Sequence, residues 1–513
     1  MFKESIIGKL FYVFLSLIST FKYSFIYTLL SSFKNAFAKI FYGSIIYKFF
    51  YHEDKIQYFS EKSVFFKFID KIIISVISFF SNVYKSLRKI NKGSINNLIY
   101  NFLNRNSYLR FQNILAVLIV IMVCVPGNKW NNLYGLIIAM FVLFLYFVTL
   151  ISGKNFSLRI AKFDFFMIIF MLSSLLAVLI SNKIGDSIRI FMFFLTSFIF
   201  MFVIWGSIKK EEDLNKFVGM ISVGLILTSI YCIYQGIVGV EIDVRLTDLN
   251  ANQGMPGRAY STFENPNNYA EYLVMFMPFM AAFSLNQKDK KKKMLWLTLL
   301  VIPFMALLYT YSRSCWVSFA ISAVVFIAFY NYKLIPLIAL LGIIAIPFLP
   351  ESILNRILTI GSMKDTSNAY RILIWEGALK MLKGTFVTGI GLGPEAYSML
   401  YPSFADPSAV LAPHSHMLFM EVLIEMGLLG FISFMIFWVV TLKRLITVKI
   451  RHALSPEKKN YICASLASFT GIIFVSGVEY IWFYPRTMFV FFIMVGLILS
   501  TINICKKERL KNQ

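Results

Sequence analysis

Acidic residues are scarce in this chain. Only 26 Asp and Glu stand against 50 Lys and Arg among 513 residues, and charged residues make up just 15% of the total. With 58% apolar residues and a mean hydropathy of +0.70, the composition excludes an ordinary soluble domain, which would be about 45–50% apolar. Short segments of alternating polarity are lacking, which excludes a transmembrane β-barrel. The five cysteines, Cys124, Cys232, Cys315, Cys463 and Cys505, all lie in or at the end of apolar runs, so neither a disulfide framework nor a cysteine metal site is expected. Zinc knuckles, RNP-like sequences and basic helix-turn-helix patterns are missing, so the net charge of +24 does not point to nucleic acid. Lysines interrupt the first apolar stretch at Lys9, Lys22, Lys34 and Lys39, and no cleavable signal peptide is expected.

What the chain does have is a series of apolar runs, many of them long enough to cross a hydrocarbon core of roughly 30 Å. They predict an all-α, polytopic transmembrane bundle of about twelve spans. The spans fall near 111–126, 132–152, 163–181, 187–206, 217–239, 268–285, 294–311, 314–331, 334–349, 415–441, 460–478 and 486–505. Basic clusters follow the second, fourth, sixth, tenth and twelfth of these, at Lys154 to Lys162, Lys209–Lys210, Lys288 to Lys293, Lys443 to Arg451 and Lys506 to Arg509. By the positive-inside rule both termini are cytoplasmic and the odd loops external. Two long loops poor in basic residues, about 240–267 and a partly helical 350–414 before the tenth span, then lie on the external face.

Three parts follow from this pattern. Residues 1–110 interleave Phe, Ile, Tyr and Leu with Lys, as basic amphipathic helices in a headgroup layer do, or alternatively one or two weak membrane helices. Residues 111–505 form the transmembrane domain, and 506–513 a basic cytoplasmic tail.

Chemistry is expected on the external side. PHSHMLFMEVLIEMGLLGF, Pro413 to Phe431, holds His414 and His416, two of only four histidines, with Glu421 and Glu425 farther along the same helix. No third His or Cys joins the pair on this face, so a metal site is not expected, whereas one histidine suffices as a general base. YRILIWEGALKML, Tyr370 to Leu382, is amphipathic and carries Arg371, with Trp375 expected at the membrane interface. Arg258 precedes the sixth span, where Asn267 or Asn268 is expected to cap the helix. Arg313 lies in TYSRSCW at a tight external turn, in either a structural or a functional role. Glycine-rich GIGLGPEAY, Gly389 to Tyr397, lacks the Lys and the flanking strand of a nucleotide loop, and ATP binding is not expected. Guanidinium forks match pyrophosphate oxygens, an imidazole beside them accepts a hydroxyl proton, and surrounding apolar spans admit a polyprenyl tail. The combination points to glycan transfer from a lipid pyrophosphate. A transporter or flippase for a lipid-linked glycan is the alternative, but polar groups gather on one side, and broken helices in matching positions of two halves are not visible.

Three patches carry a resemblance: GRAYSTFENPNNYAEYL (Gly257 to Leu273), YRILIWEGALKMLKGTFVTGIGLGPEAY (Tyr370 to Tyr397) and HSHMLFMEVLIEMGLLGF (His414 to Phe431), with TYSRSCW as a fourth. Together they resemble the O-antigen ligase and polymerase superfamily of bacterial membrane proteins. The resemblance implies a metal-independent, inverting glycosyltransferase of the cytoplasmic membrane that needs no cofactor. Its donor would be an undecaprenyl-pyrophosphate-linked glycan and its acceptor a glycan or lipid, with the site at the external face. Family patterns place Asn or Ser after the catalytic His and Gly eleven positions beyond it. Gly427 is eleven after His416, although Met417 departs from the pattern, whereas His414-Ser415 has the dipeptide without the glycine spacing. His416 is the better match, and both are retained. Arg258 and Arg371 match the external arginines that contact pyrophosphate, with Arg313 supporting them.

Overall fold

A computed structural model describes residues 28, 32, 63–90, 95–105, 110–152, 165–241, 257–361, 366–451 and 454–512. Most of the basic N-terminal segment, residues 242–256 of the first long loop and the basic loop after the second span lie outside the described residues. Among those described there are helices and no strand, as the apolar runs predict. In chain order the helices are α1 (Val64–Ile90), α2 (Ile95–Arg105), α3 (Phe111–Cys124), α4 (Asn132–Ser152), α5 (Phe165–Ile180), α6 (Ile184–Ser207), α7 (Glu211–Val238), α8 (Pro266–Leu285) and α9 (Lys290–Leu299). They continue with α10 (Val301–Tyr309), α11 (Arg313–Asn331), α12 (Ile335–Ala345), α13 (Glu351–Leu358), α14 (Thr366–Thr385), α15 (Pro394–Leu400), α16 (Leu418–Arg451), α17 (Pro456–Ser476) and α18 (Pro485–Asn512).

The chain divides into two units, one of Met1–Phe68 with Lys333–Ala345, the other of Ile69–Tyr332 with Ile346–Gln513. In the first, α12 is a short apolar helix. All candidate site residues belong to the second. Helix α1 is amphipathic: Val64, Phe68, Ile72, Phe79, Val83 and Leu87 recur at helical spacing and are exposed, with Lys67, Lys71, Lys85 and Lys89 exposed too.

Seven helical segments among the described residues are long and apolar enough to cross a membrane: α4, α6, α7, the Lys290–Tyr309 run, the run beginning at Arg313, α16 and α18. The expected spans near 111–126 and 163–181 are helices of 14 and 16 residues, α3 and α5. Helices α8 and α17 have 20 and 21 residues, but polar groups fill their first turns, such as Asn267, Asn268 and Glu271 in α8 and Glu457 to Asn460 in α17.

Within the second unit α18 is central. It packs on α6, and 94% of its apolar span is buried; α17 packs on α8 and α11, α16 on α5, and α7 on α3. Between membrane helices, close packing replaces water expulsion as the source of adhesion. Gly471 of α17 shows the fit: a Cβ there would come within 3.0 Å of side-chain atoms of both Ser322 (α11) and Val274 (α8).

Helix α16 is not the continuous span the apolar run 415–441 predicts. Gly427 interrupts it with φ 64° and ψ −167°, a conformation essentially restricted to glycine. A break at membrane depth strands backbone polar groups unless protein satisfies them. Here the glycine-rich segment after α14 does so. The Ile390 and Gly391 N–H groups donate to the Ile424 and Glu425 carbonyls at 2.9 and 3.2 Å, and the Leu428 N–H donates to the Val387 carbonyl at 3.2 Å. Gly389, Gly391 and Gly393 all have positive φ. This segment docks onto a broken helix, and its glycines serve that contact.

Candidate functional site

The site is built where four segments meet at one end of the helices. The first is the turn before α8. Asn265 caps α8, its side chain accepting from the Asn267 N–H at 2.8 Å, with Pro266 at the first helical position. The expected caps, Asn267 and Asn268, already lie inside the helix. Asn267 is thereby turned to the site: its Oδ1 accepts from Arg258 Nη2, and its Nδ2 donates to Glu479 Oε1 at 3.4 Å. Arg258 is buried and also donates through Nε to the Thr310 carbonyl at 2.9 Å. Burial lowers its pKa to about 10, with Glu479 opposing that fall, so the guanidinium stays charged near neutrality.

Helix α14 supplies Arg371, whose Nη2 donates to Glu479 Oε1. Trp375, one turn on, does not simply rest at an interface: its indole N–H donates to the Ser415 carbonyl at 3.0 Å, joining α14 to the histidine segment.

The histidine segment is held at every residue. Glu421 accepts the Ser415 N–H at 2.7 Å, and His414 Nδ1 accepts the His416 N–H at 3.1 Å. Glu425, the other acid flagged on this helix, accepts from the Gly393 N–H at 2.8 Å and from the Tyr480 hydroxyl at 3.3 Å, so both carboxylates anchor loops. The two histidines have different settings. His414 is buried against Phe483 and Tyr480, with ring centroids 4.4 and 5.5 Å away, and burial pushes its pKa well below 6.5, helped by His416 and Arg371. The His416 side chain is 26% exposed, and its Nδ1 lies 3.9 Å from Glu479 Oε2.

Glu479, in the turn between α17 and α18, is the hub, and sequence reasoning missed it. Burial alone would raise its pKa, but the charges of Arg371, His416 and Arg258 outweigh that and bring it to about 2. Ser314, at the start of α11, donates to it at 3.4 Å. Its signal in the sequence was that of a lone acid between two apolar runs in an acid-poor chain. Arg371 thus binds the carboxylate directly, His416 stands 3.9 Å from it, and Arg258 reaches it through Asn267. Arg313 faces elsewhere, donating to the Thr359 carbonyl at 2.8 Å and to Ser367 at 3.0 Å.

Two further arginines went unflagged. Arg356 is buried and donates to the Tyr311 carbonyl at 3.2 Å, fixing the TYSR turn against α13. Arg486 donates to the Val125 and Thr262 carbonyls, both at 2.8 Å, and lies over the Trp130 ring at 4.7 Å, pinning the loop that carries Arg258.

With this arrangement described, comparison with known families gives one result. Residues 272–435 match the O-antigen ligase family. The matched stretch contains Arg313, Arg371, both histidines and the Gly427 break; Arg258 and Glu479 lie outside it. Comparison with curated proteins finds no match to the chain. The family match covers about a third of the chain and shows that this part is similar to O-antigen ligases, within a chain whose described residues include seven helical segments apolar and long enough to cross a membrane.

Proposed function

We propose that this O-antigen ligase-like protein moves a glycan from an undecaprenyl-pyrophosphate carrier to an acceptor hydroxyl at the external face of the membrane. Arg258 and Arg371 hold the diphosphate and stabilise the charge that develops on it as it leaves. His416 removes the acceptor's proton while the acceptor oxygen attacks the anomeric carbon from the side opposite the diphosphate, inverting its configuration. The reaction needs no metal in this reading, because guanidinium groups supply the positive charge. His414 holds the His416 backbone, and Arg313 holds Thr359, just after α13, and Ser367 of α14. Twelve crossings, with the Arg313–Ile344 run counted as two (α11 and α12) and α3, α5, α8 and α17 joining the other six apolar segments, put both termini in the cytoplasm, where amphipathic α1 lies against the headgroups.

The observation that carries this reading is that Arg371 and His416, from segments 45 positions apart, converge on Glu479 beside Arg258. The test is reconstitution of the purified protein in lipid with a defined undecaprenyl-diphosphate glycan and an acceptor. The wild type should form an inverted glycosidic product, and His416→Ala should slow it by about a hundredfold or more. Undiminished turnover by His416→Ala would remove the histidine from the mechanism. Movement of the donor across the bilayer without product would favour the flippase reading.

A further inference from the structure

Arg371 and His416 compete for a single carboxylate. Glu479 Oε1 receives Arg371, Asn267 at 3.4 Å and Ser314 at 3.4 Å, while Oε2 stands 3.9 Å from His416 Nδ1. That last distance exceeds the 2.7–3.2 Å of a hydrogen bond. His416 Nδ1 is buried and has no hydrogen-bond partner among the described residues, which is costly for an imidazole nitrogen. The Glu479 backbone is fixed, since its carbonyl accepts the Leu418 N–H at 3.2 Å and its N–H donates to the Val475 carbonyl at 2.8 Å. Closing the gap therefore needs only a side-chain rotation. The charged and titratable groups around this carboxylate include Arg371 from α14, Arg258 before α8, His416 before α16, the carboxyl of Glu271 within α8 and the thiol of Cys315 in α11.

We propose that Glu479 is a positioning residue switched by the donor: a diphosphate draws Arg371 away from it, and the released carboxylate closes on His416 Nδ1. This rests on the glycosyl-transfer reading above. A diphosphate carries more negative charge than one carboxylate and offers a guanidinium several pairs of oxygens, so it wins Arg371. Once Nδ1–H donates to Glu479, the tautomer is fixed and Nε2 becomes the base, the arrangement by which a carboxylate orients a catalytic histidine elsewhere. Nε2 then takes the proton of the acceptor hydroxyl as its oxygen bonds to the anomeric carbon. The bond from that carbon to the diphosphate breaks, and its electron pair leaves with the diphosphate on Arg258 and Arg371. The base is thus assembled only when the donor is in place.

The model makes Glu479 an opponent of donor binding and a helper of turnover, a pairing that a merely structural residue would not show. In the reconstituted full-length protein, Glu479→Gln should lower KM for the carrier-linked donor by about threefold or more while lowering kcat by about a hundredfold. Glu479→Asp, which keeps the carboxylate, should retain kcat to within about tenfold. Binding of undecaprenyl diphosphate without glycan, measured directly on Glu479→Gln, should be at least as tight as to the wild type, which also shows that the variant is folded. Weaker binding, a raised KM, or an unchanged kcat in Glu479→Gln would overturn the switch while leaving transfer by the wild type intact. Absence of transfer by the wild type would instead strike down the underlying reading.

Discussion

Two neighbouring regions solve the problem of irregular backbone in opposite ways. In the seam where Val387–Gly393 docks onto broken α16, every unusual conformation falls on a glycine, at 389, 391, 393 and 427, and the stranded groups pair backbone to backbone. Around the arginine and histidine cluster, the left-handed conformations fall on Ser261, Tyr311 and His416, with φ of 55°, 50° and 52°. There each costs roughly 1–2 kcal/mol. Each is clamped by a side chain on its own backbone: Gln235 on Ser261, Arg356 on Tyr311, and His414 on His416. Strain that glycine could have relieved persists only where the surroundings over-determine it, as they do at functional sites. The seam is architecture, and the cluster holds its side chains against a cost.

The strongest way to break this contrast is to put a side chain into the seam. A Cβ on Gly427 would collide with the Val387 carbonyl and the Gly389 backbone, in a conformation that costs any other residue about 1–3 kcal/mol before the collision is counted. Gly427→Ala should therefore lose most of the folded protein recovered in detergent, measured as the monodisperse fraction on size exclusion. Recovery at wild-type yield would show that the seam is dispensable.

A milder test separates the two histidines. Burial keeps His414 neutral, with a pKa below 6.5 in the folded protein, whereas the unfolded chain binds a proton as pH drops past about 6.5. Its contribution to stability is therefore intact above that pH and is lost as the medium is acidified. His414→Asn keeps an acceptor near the position of Nδ1 and does not titrate. This variant should retain transfer to within about tenfold and should flatten the fall of the melting midpoint between pH 7 and pH 5. A wild-type midpoint profile in the Asn variant would place the acid sensitivity elsewhere, with the buried carboxylates the next candidates.

How much of this was legible in the sequence follows from the range of each interaction. Arg258, Arg371 and His416 stood out locally, because a charge or imidazole beside an apolar run is expensive enough to need a reason. The helical fold was legible from the apolar runs. The break at Gly427 was not, because a glycine inside an apolar run is ordinary in membrane helices and its partner Val387 lies 40 residues upstream. Glu479 escaped for the same reason, since its Arg371 lies 108 positions away. One question would have found it: which acid balances Arg258 and Arg371 in so acid-poor a chain. The tie from the Trp375 indole N–H to the Ser415 carbonyl was not legible either, because it spans 40 positions.

The smallest effect addresses the strain itself. Replacing His416 by Gly or by Ala removes the imidazole equally, so both variants should be inactive. They differ only in whether a Cβ must sit at φ 52°. Relief of the left-handed cost favours Gly by about 1–2 kcal/mol, and the greater freedom of Gly in the unfolded chain returns about 0.4–1 kcal/mol of that. His416→Gly should therefore be the more stable variant by roughly 0.5–1 kcal/mol, read as a higher melting midpoint in the same detergent. In the seam the order of residues runs the same way for architecture, since Gly is needed there and is present. At position 416 glycine would be the more stable choice and histidine occupies it, which is what a residue kept for its chemistry predicts. Equal midpoints for the two variants would mean that the conformation at 416 costs no more than the about 0.4–1 kcal/mol that the freedom of unfolded Gly takes back, and the contrast between seam and cluster would lose most of its energetic basis.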